Sequence, residues 1–263
     1  MLIAAASVVP LIWGIALVRP YIWGSGESTA VPLDEVVKRF DAATTVTTAT
    51  TDTVTTDAAP DAPAAVMPEP GVYTYATSGG DSVDALSGDA HTYPAITTMT
   101  VLASGCGTVQ RWDVLVQRWQ AAHTCVRDAG VATDRIVNFD SFFERGQTDT
   151  YECVGDVRPL DAPEGTTWSF VCAQNGRDDR YSGVVVGTET RQVGTSTVAV
   201  LHVRVSIDNG NPVDSQITDS WYLLGADLLV ARTAVNETTN DSPIGAVHYS
   251  ERYELMLTSV DPL

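Results

Sequence analysis

Four cysteines, Cys106, Cys125, Cys153 and Cys172, fall as two pairs of equal spacing. Thiols can ligate a metal, attack an electrophile or join as disulfides. No CxxC occurs, and no histidine lies three to five residues from another, so the spacing does not suit zinc. An even number of cysteines behind an apolar leader reads as disulfides formed outside the cytoplasm. Three pairings are open. Cys106–Cys125 with Cys153–Cys172 is preferred, because each bond then staples neighbouring strands of a meander.

Other reactive types are scattered. His91, His123, His202 and His248 stand singly. Asp178-Asp179 and Asp208-Asn209 resemble calcium-ligand clusters but sit among turn residues, where a plain turn is the simpler reading. Glu251 shares a strand face with Tyr249 and Tyr253. A carboxylate there needs a partner or takes a raised pKa. An arginine partner is the structural solution and a catalytic acid the chemical one; the absence of a second catalytic group favours the former. No GxSxG, HExxH, SxxK, P-loop or GxGxxG occurs. We therefore expect no catalytic residues, no cofactor and no metal. Asn236-Glu237-Thr238 and Asn240-Asp241-Ser242 are glycosylation sequons and would mark a solvated loop.

The elements that must position these groups are β-strands. Residues 72–75 and 82–86 read as strands joined by a tight turn at Gly79-Gly80. Residues 96–103 alternate and end in the turn Ser104-Gly105-Cys106-Gly107. Residues 109–122 fit either an amphipathic helix or a strand pair, and their β-branched content and neighbours favour strands. A strand over 197–207, a hairpin of 217–224 with 228–235 and a strictly alternating strand over 247–257 complete the pattern. Long antiparallel strands with short turns predict a mainly β domain: one large curved sheet or open half-barrel with few short helices.

The front of the chain has no such pattern. Leu2 to Val18 is apolar and free of charge, followed by Tyr21 and Trp23. As a helix it would run about 26 Å, the short end of a membrane span. Residues 1–24 are thus expected to be a transmembrane anchor, with a cleaved signal peptide as the competing reading. Arg19, placed after the apolar run, argues weakly against export of the C-terminal side, and the cysteines argue more strongly for it. Residues 25–70 hold a short helix over 32–43 and then a Thr/Ala/Pro/Asp-rich linker too poor in large apolar side chains to fold alone. Residues 71–263 form the extracytoplasmic domain, about 190 residues and large enough for a true core.

The charge bounds the partners. There are 33 acidic and 15 basic residues, a formal net charge of −18, and Lys38 is the only lysine. Such a surface repels nucleic acid and anionic headgroups.

Residues 186–235 carry a pattern of their own. A turn with Gly187, Glu189 and Val193-Gly194 leads to the long strand 198–207, then Asp219-Ser220-Trp221-Tyr222-Leu223, then Leu229-Val230-Ala231-Arg232. This segment resembles the closing half of the LolA/LppX-type lipoprotein-carrier fold, a curved antiparallel sheet cupping an apolar cavity. It departs from that family in lacking a lipobox cysteine and evident plugging helices. The resemblance implies a hydrophobic or acyl-chain ligand and no catalysis. On this reading the chain is a membrane-tethered domain on the outer side of the cell membrane that binds a lipidic ligand. Trp112, Trp168, Trp221, Tyr249 and Tyr253 are candidates for the lining, against the plainer reading that each is core packing. The alternative is a scaffold domain of the cell envelope without a cavity, meeting a protein partner through a sheet face or edge.

Overall fold

The strand pattern continues until the sheet meets itself. The computed structural model describes residues 28–47, 67–85, 88–127, 130–242 and 245–263. In these, one helix, α1 (Leu33–Thr47), precedes β1 (Gly71–Val83), β2 (Asp89–Thr92), β3 (Ile96–Ser104), β4 (Gly107–Leu115), β5 (Arg118–Arg127), β6 (Gly130–Phe142) and β7 (Arg145–Gly155). The chain goes on through β8 (Arg158–Pro159), β9 (Thr167–Gln174), β10 (Arg177–Val193), β11 (Ser196–Asp208), β12 (Ser215–Leu223), β13 (Leu229–Ser242) and β14 (Gly245–Leu257). Every pairing is antiparallel between near neighbours in sequence, and β14 returns to pair with β1 from Tyr75↔Leu257 to Val83↔Tyr249.

The result is a closed twelve-strand barrel, with β2 and β8 as short additions. The open half-barrel expected from the sequence is thereby corrected. Closure pairs β1 with β14 along nine residues, whereas the β7–β9 seam is short, Glu152–Gly155 against Phe170–Ala173, and leaves residues 145–151 of β7 paired on one side only. The physical reason lies at Gly79 and Gly80. They are not a turn, as the sequence suggested, but the middle of β1. Gly79 has φ +116°, and a Cβ there would stand 2.1 Å from the carbonyl oxygen of Arg252. Only glycine lets β14 approach closely enough to seal the seam. Register shifts at Asp113/Leu115, His123/Thr124, Val185/Gly187 and Trp221/Tyr222 supply further local bends of the wall.

Residues 109–122 are strands, β4 and β5, as preferred. The hairpin β12–β13 and the strands β11 and β14 also fall where the alternation placed them. The sequon at Asn236 lies in β13, not in a loop, and its side chain donates to Glu251 Oε2 at 2.6 Å inside the barrel.

Pro32 immediately precedes helix α1, its carbonyl accepting from the amides of Glu35 and Val36, and the helix carries Asp34 and Glu35 in its first turn. Val36 is fully buried against the barrel wall, and Arg39 pairs with Asp113 at 3.2 Å. Ahead of the helix, Thr29 accepts from the Val116 amide and Ser28 Oγ from that of Thr92, which straps this segment onto β2 and the β4–β5 turn.

The expected anchor over 1–24 and residues 48–66 of the expected linker lie outside the described residues, and residues 44–47, expected to begin the linker, instead end α1. Among the described residues no helix is long and apolar enough to cross a membrane. The single-pass membrane location expected from the sequence is therefore unsupported and is withdrawn. The outer wall of the barrel carries the ion pairs Arg135–Glu152, Arg204–Asp219 and Arg252–Glu237, the chemistry of a wall facing water.

Both preferred disulfides form. Cys106, in the β3–β4 turn, joins Cys125 on β5 with a Cα separation of 4.8 Å. Cys153 and Cys172 sit directly opposite one another on β7 and β9, 4.0 Å apart at Cα. Each closes a loop of similar length, worth about 3 kcal/mol in the chain-entropy account. Replacing both Cys153 and Cys172 by alanine is expected to cost roughly that much, read from urea unfolding as a lower midpoint with a somewhat larger m-value, because the unfolded chain loses its cross-link.

Candidate functional site

The barrel packs unevenly along its axis. One end is filled by Tyr73, Tyr75, Met99, Val101, Leu229 and Leu257, with Tyr75 Oη donating to the Leu229 carbonyl at 2.7 Å. Above this lies an aromatic layer of Tyr93, Trp112 and Tyr253, with Trp112 and Tyr253 ring centroids 4.7 Å apart. A second apolar group, Trp168, Val185, Leu201 and Val203, fills the floor on the opposite side. Gly183 makes room for it: a Cβ there would lie 2.2 Å from the Trp168 ring. The loop between β7 and β9 crosses this end and brings Arg158 inward.

The other half is not filled. It holds a cavity of about 750 Å³, whose rim includes the exposed Arg145, Gln147 and Arg177. Its walls come from alternate residues of the strands: Arg118, Gln120 and Thr124 of β5, Asn138 and Asp140 of β6, Gln216 and Thr218 of β12. The pleat that turns Arg204 and Asp219 to water turns Val205 and Thr218 into the lumen. The lumen is therefore polar on a scale unusual for a protein interior.

Its charges fall in two groups. The upper one is built around Arg118, which lies 3.1 Å from Glu251, 3.1 Å from Asp140 and 3.9 Å from Asp81. Glu251, 1% exposed, also accepts from Tyr93 Oη at 2.6 Å and from Asn236. Asp81 in turn meets His91 Nδ1 at 2.7 Å and the Tyr93 hydroxyl at 3.3 Å. Three carboxylates thus share one guanidinium and one imidazole. Burial raises the pKa of Asp140 against the opposing pull of Arg118. At His91 burial opposes protonation, but Asp81, with Asp89 and Asp140 behind it, outweighs this and raises the pKa. The His91 ring packs on Phe142 at 4.7 Å, and its buried Nε2 has no hydrogen-bond partner among the described residues.

The lower group sits on the floor. Asp227 accepts from Arg158, Gln110 and Thr124. Burial raises its pKa, and Arg158 works against the rise. The Arg158 guanidinium lies over the Tyr222 ring, 3.6 Å from its centroid. Arg232 donates to Ser220 Oγ at 3.1 Å and to Tyr222 Oη at 3.4 Å, and no carboxylate among the described residues pairs with it.

Of the five aromatics expected to line a site, Tyr249 and Tyr253 face the cavity. Trp112 and Trp168 are packed into the floor. Trp221 is turned to the outer face, stacked on His202 at 4.3 Å and donating through Nε1 to Glu189. The arginine partner that Glu251 required is Arg118. Sequence reasoning missed Asp81, His91, Asp140, Arg158, Asp227 and Arg232. The available signal was Arg118, Gln120 and Thr124, polar residues on the face of β5 opposite Trp119, Ala121 and Cys125.

A second, smaller hollow of about 330 Å³ lies outside the barrel beneath α1, lined by Phe40, Leu102, Val109, Trp119 and Val137 among others. The described residues offer one group with metal-ligand spacing, Cys106, Cys125 and Asp134, and its two sulfurs are bonded to each other. No protein-family model, no curated protein and no solved structure matches this chain.

Proposed function

We propose that this chain is a binding protein that holds a polar small molecule in the lumen of its barrel. The observation carrying this reading is the cavity itself, about 750 Å³ and walled by hydrogen-bonding side chains on a rigid, closed scaffold. A core of this size that served packing alone would be filled with apolar side chains, as the other end is. A ligand with donors and acceptors finds counterparts at Gln120, Asn138, Gln216 and Thr218. Gln120 and Asn138 bond to each other at 2.9 Å, but the acyl chain suggested by the sequence resemblance would leave their remaining amide atoms unmatched at a cost, so the lining supports a more polar ligand. Binding is favoured over catalysis. His91 is oriented by Asp81 as a general base would be, but its Nε2 meets no hydroxyl or thiol that it could activate. The scaffold alternative gains less support, since closure occupies the edges of β1 and β14 and a protein partner gives no reason for the polar cavity.

The test is retention of a small molecule by the full chain. Purified from its native host and examined by native mass spectrometry, the protein is expected to carry a polar compound of a few hundred daltons. Thr218→Trp, which projects an indole into the lumen, is expected to remove it while the circular dichroism spectrum stays unchanged. Retention of a lipid instead, or equal retention by both forms, would overturn the reading.

A further inference from the structure

We propose that the lumen floor at Arg232, Tyr222, Ser220 and Arg158 is an oxyanion subsite, so that the ligand carries a carboxylate or phosphate-type group. The inference rests on the reading of the lumen as a binding cavity and specifies which end of the ligand goes where.

The argument is a charge count. The upper group sets Asp81, Asp140 and Glu251 around Arg118 and His91, so positive charge there is fully matched. The floor sets two guanidiniums, Arg158 and Arg232, against the single carboxylate of Asp227. Asp227 is already committed to Arg158, Gln110 and Thr124. Arg232 hydrogen-bonds neutral groups only, Ser220 Oγ, Tyr222 Oη and Tyr253, and shares the single charge of Asp227 with Arg158 from farther off. A guanidinium in a protein wall without a counter-charge of its own is costly, and a charged ligand group is the direct way to offset that cost.

The geometry fits such a group. Tyr222 ties the two cations together, its ring under Arg158 and its hydroxyl accepting from Arg232. Arg158 Nη1 is buried and has no hydrogen-bond partner among the described residues. Both guanidiniums border the cavity. Planar, forked donors of this kind suit a carboxylate or phosphate better than a halide or a neutral hydroxyl. Along β13 the inward residues run Arg232, Ala234, Asn236, and Asn236 is bonded to Glu251. The cationic floor and the acidic layer are therefore about 13 Å apart at ~3.3 Å per residue. A ligand reaching from one to the other would present an anionic end below and neutral or cationic donors above.

The experiment uses the full chain with inorganic phosphate and with acetate as separate probes, titrated against chloride at constant ionic strength and read as the shift in melting temperature. Wild-type protein is expected to show a saturable rise with at least one probe; the stronger of the two identifies the anion type. Arg232→Gln is expected to weaken apparent affinity at least tenfold. Arg232→Lys, which keeps the charge and loses the fork, is expected to weaken it severalfold and serves if the glutamine variant does not fold. Arg204→Gln on the outer face should leave the response unchanged. Loss of the response in both Arg232→Gln and Thr218→Trp supports the subsite. A response kept in Arg232→Gln but lost in Thr218→Trp overturns the subsite while leaving the lumen as the binding cavity. A response kept in both, or no saturable response in wild type, also overturns it; the Thr218→Trp retention experiment judges the lumen reading separately.

Discussion

Arg118→Met is expected to destabilise the barrel by about 3–5 kcal/mol at pH 8, the range for removing one partner of a buried ion pair. Arg118 faces Glu251, Asp140 and Asp81 from inside the wall. Methionine matches its volume roughly and its charge not at all. Three carboxylates would then share only His91. The loss should shrink in acid, because each carboxylate that takes up a proton no longer needs the guanidinium. Glu251→Gln is expected to cost less. Glutamine can still accept from Tyr93, and Arg118 retains Asp140. Urea unfolding of the three proteins at pH 8 and pH 5 checks both the order and the pH trend. Equal stability of Arg118→Met and wild type at pH 8 would show that the cluster does not hold its charge as described.

The strand pattern was legible because its cause is local. Alternation in 197–207 and 247–257 follows from a pleat with one buried face, and the turn residues between strands punctuate it plainly. Closure was not legible. It depends on whether β14 meets β1, a contact between residues more than 170 positions apart at Tyr75 and Leu257. Its local mark, Gly79-Gly80, has the appearance of a turn. A glycine pair that allows close approach and a glycine pair that reverses the chain read alike until the partner strand is known.

The site was less legible than the fold. The sequence suggests aromatic residues as the lining, but in a barrel with a polar lumen they serve mainly as its floor: Trp112 and Trp168 fill it, and Trp221 faces outward. The lining instead uses residue types that normally signal solvent, such as Gln120, Asn138 and Asp140. In a single strand, a polar face toward water and a polar face toward a lumen have the same sequence. Glu251 was the exception, because large aromatics on both sides made exposure implausible and a cation necessary. His91 and Asp81 gave no such signal. Their juxtaposition depends on the register Asp81↔His91 between β1 and β2.

Stability should rise as pH falls from 8 toward about 6.5, because His91 binds its proton more tightly in the folded barrel, while the buried aspartates add to the gain only in stronger acid. Asp140 and Asp179 have pKa values raised by burial, and His91 is raised by Asp81. A group whose folded pKa lies above its unfolded value binds its proton more tightly when folded. Its stabilisation is complete below the unfolded pKa and is lost as pH rises through the folded one. For His91 that loss falls above about 6.5, and for the two aspartates above about 3.8. His123 acts in the opposite sense: burial and Arg135 lower its pKa, so its share is intact above about 6.5 and is lost as pH falls below that toward its lowered folded value. At Glu237 burial is outweighed by bonds from Arg252, Ser250 and His248, so its pKa is low and its contribution is lost only in stronger acid. The two histidines therefore divide the neutral range. His91→Gln, which keeps a donor for Asp81, is expected to flatten the gain between about pH 8 and 6.5, and His123→Gln to remove the opposing loss below about pH 6.5. Denaturant midpoints across that range decide the matter. A wild-type curve that falls on acidification from pH 8, or a His91→Gln curve parallel to wild type, would mean that the imidazole inside the barrel does not take up its proton on folding.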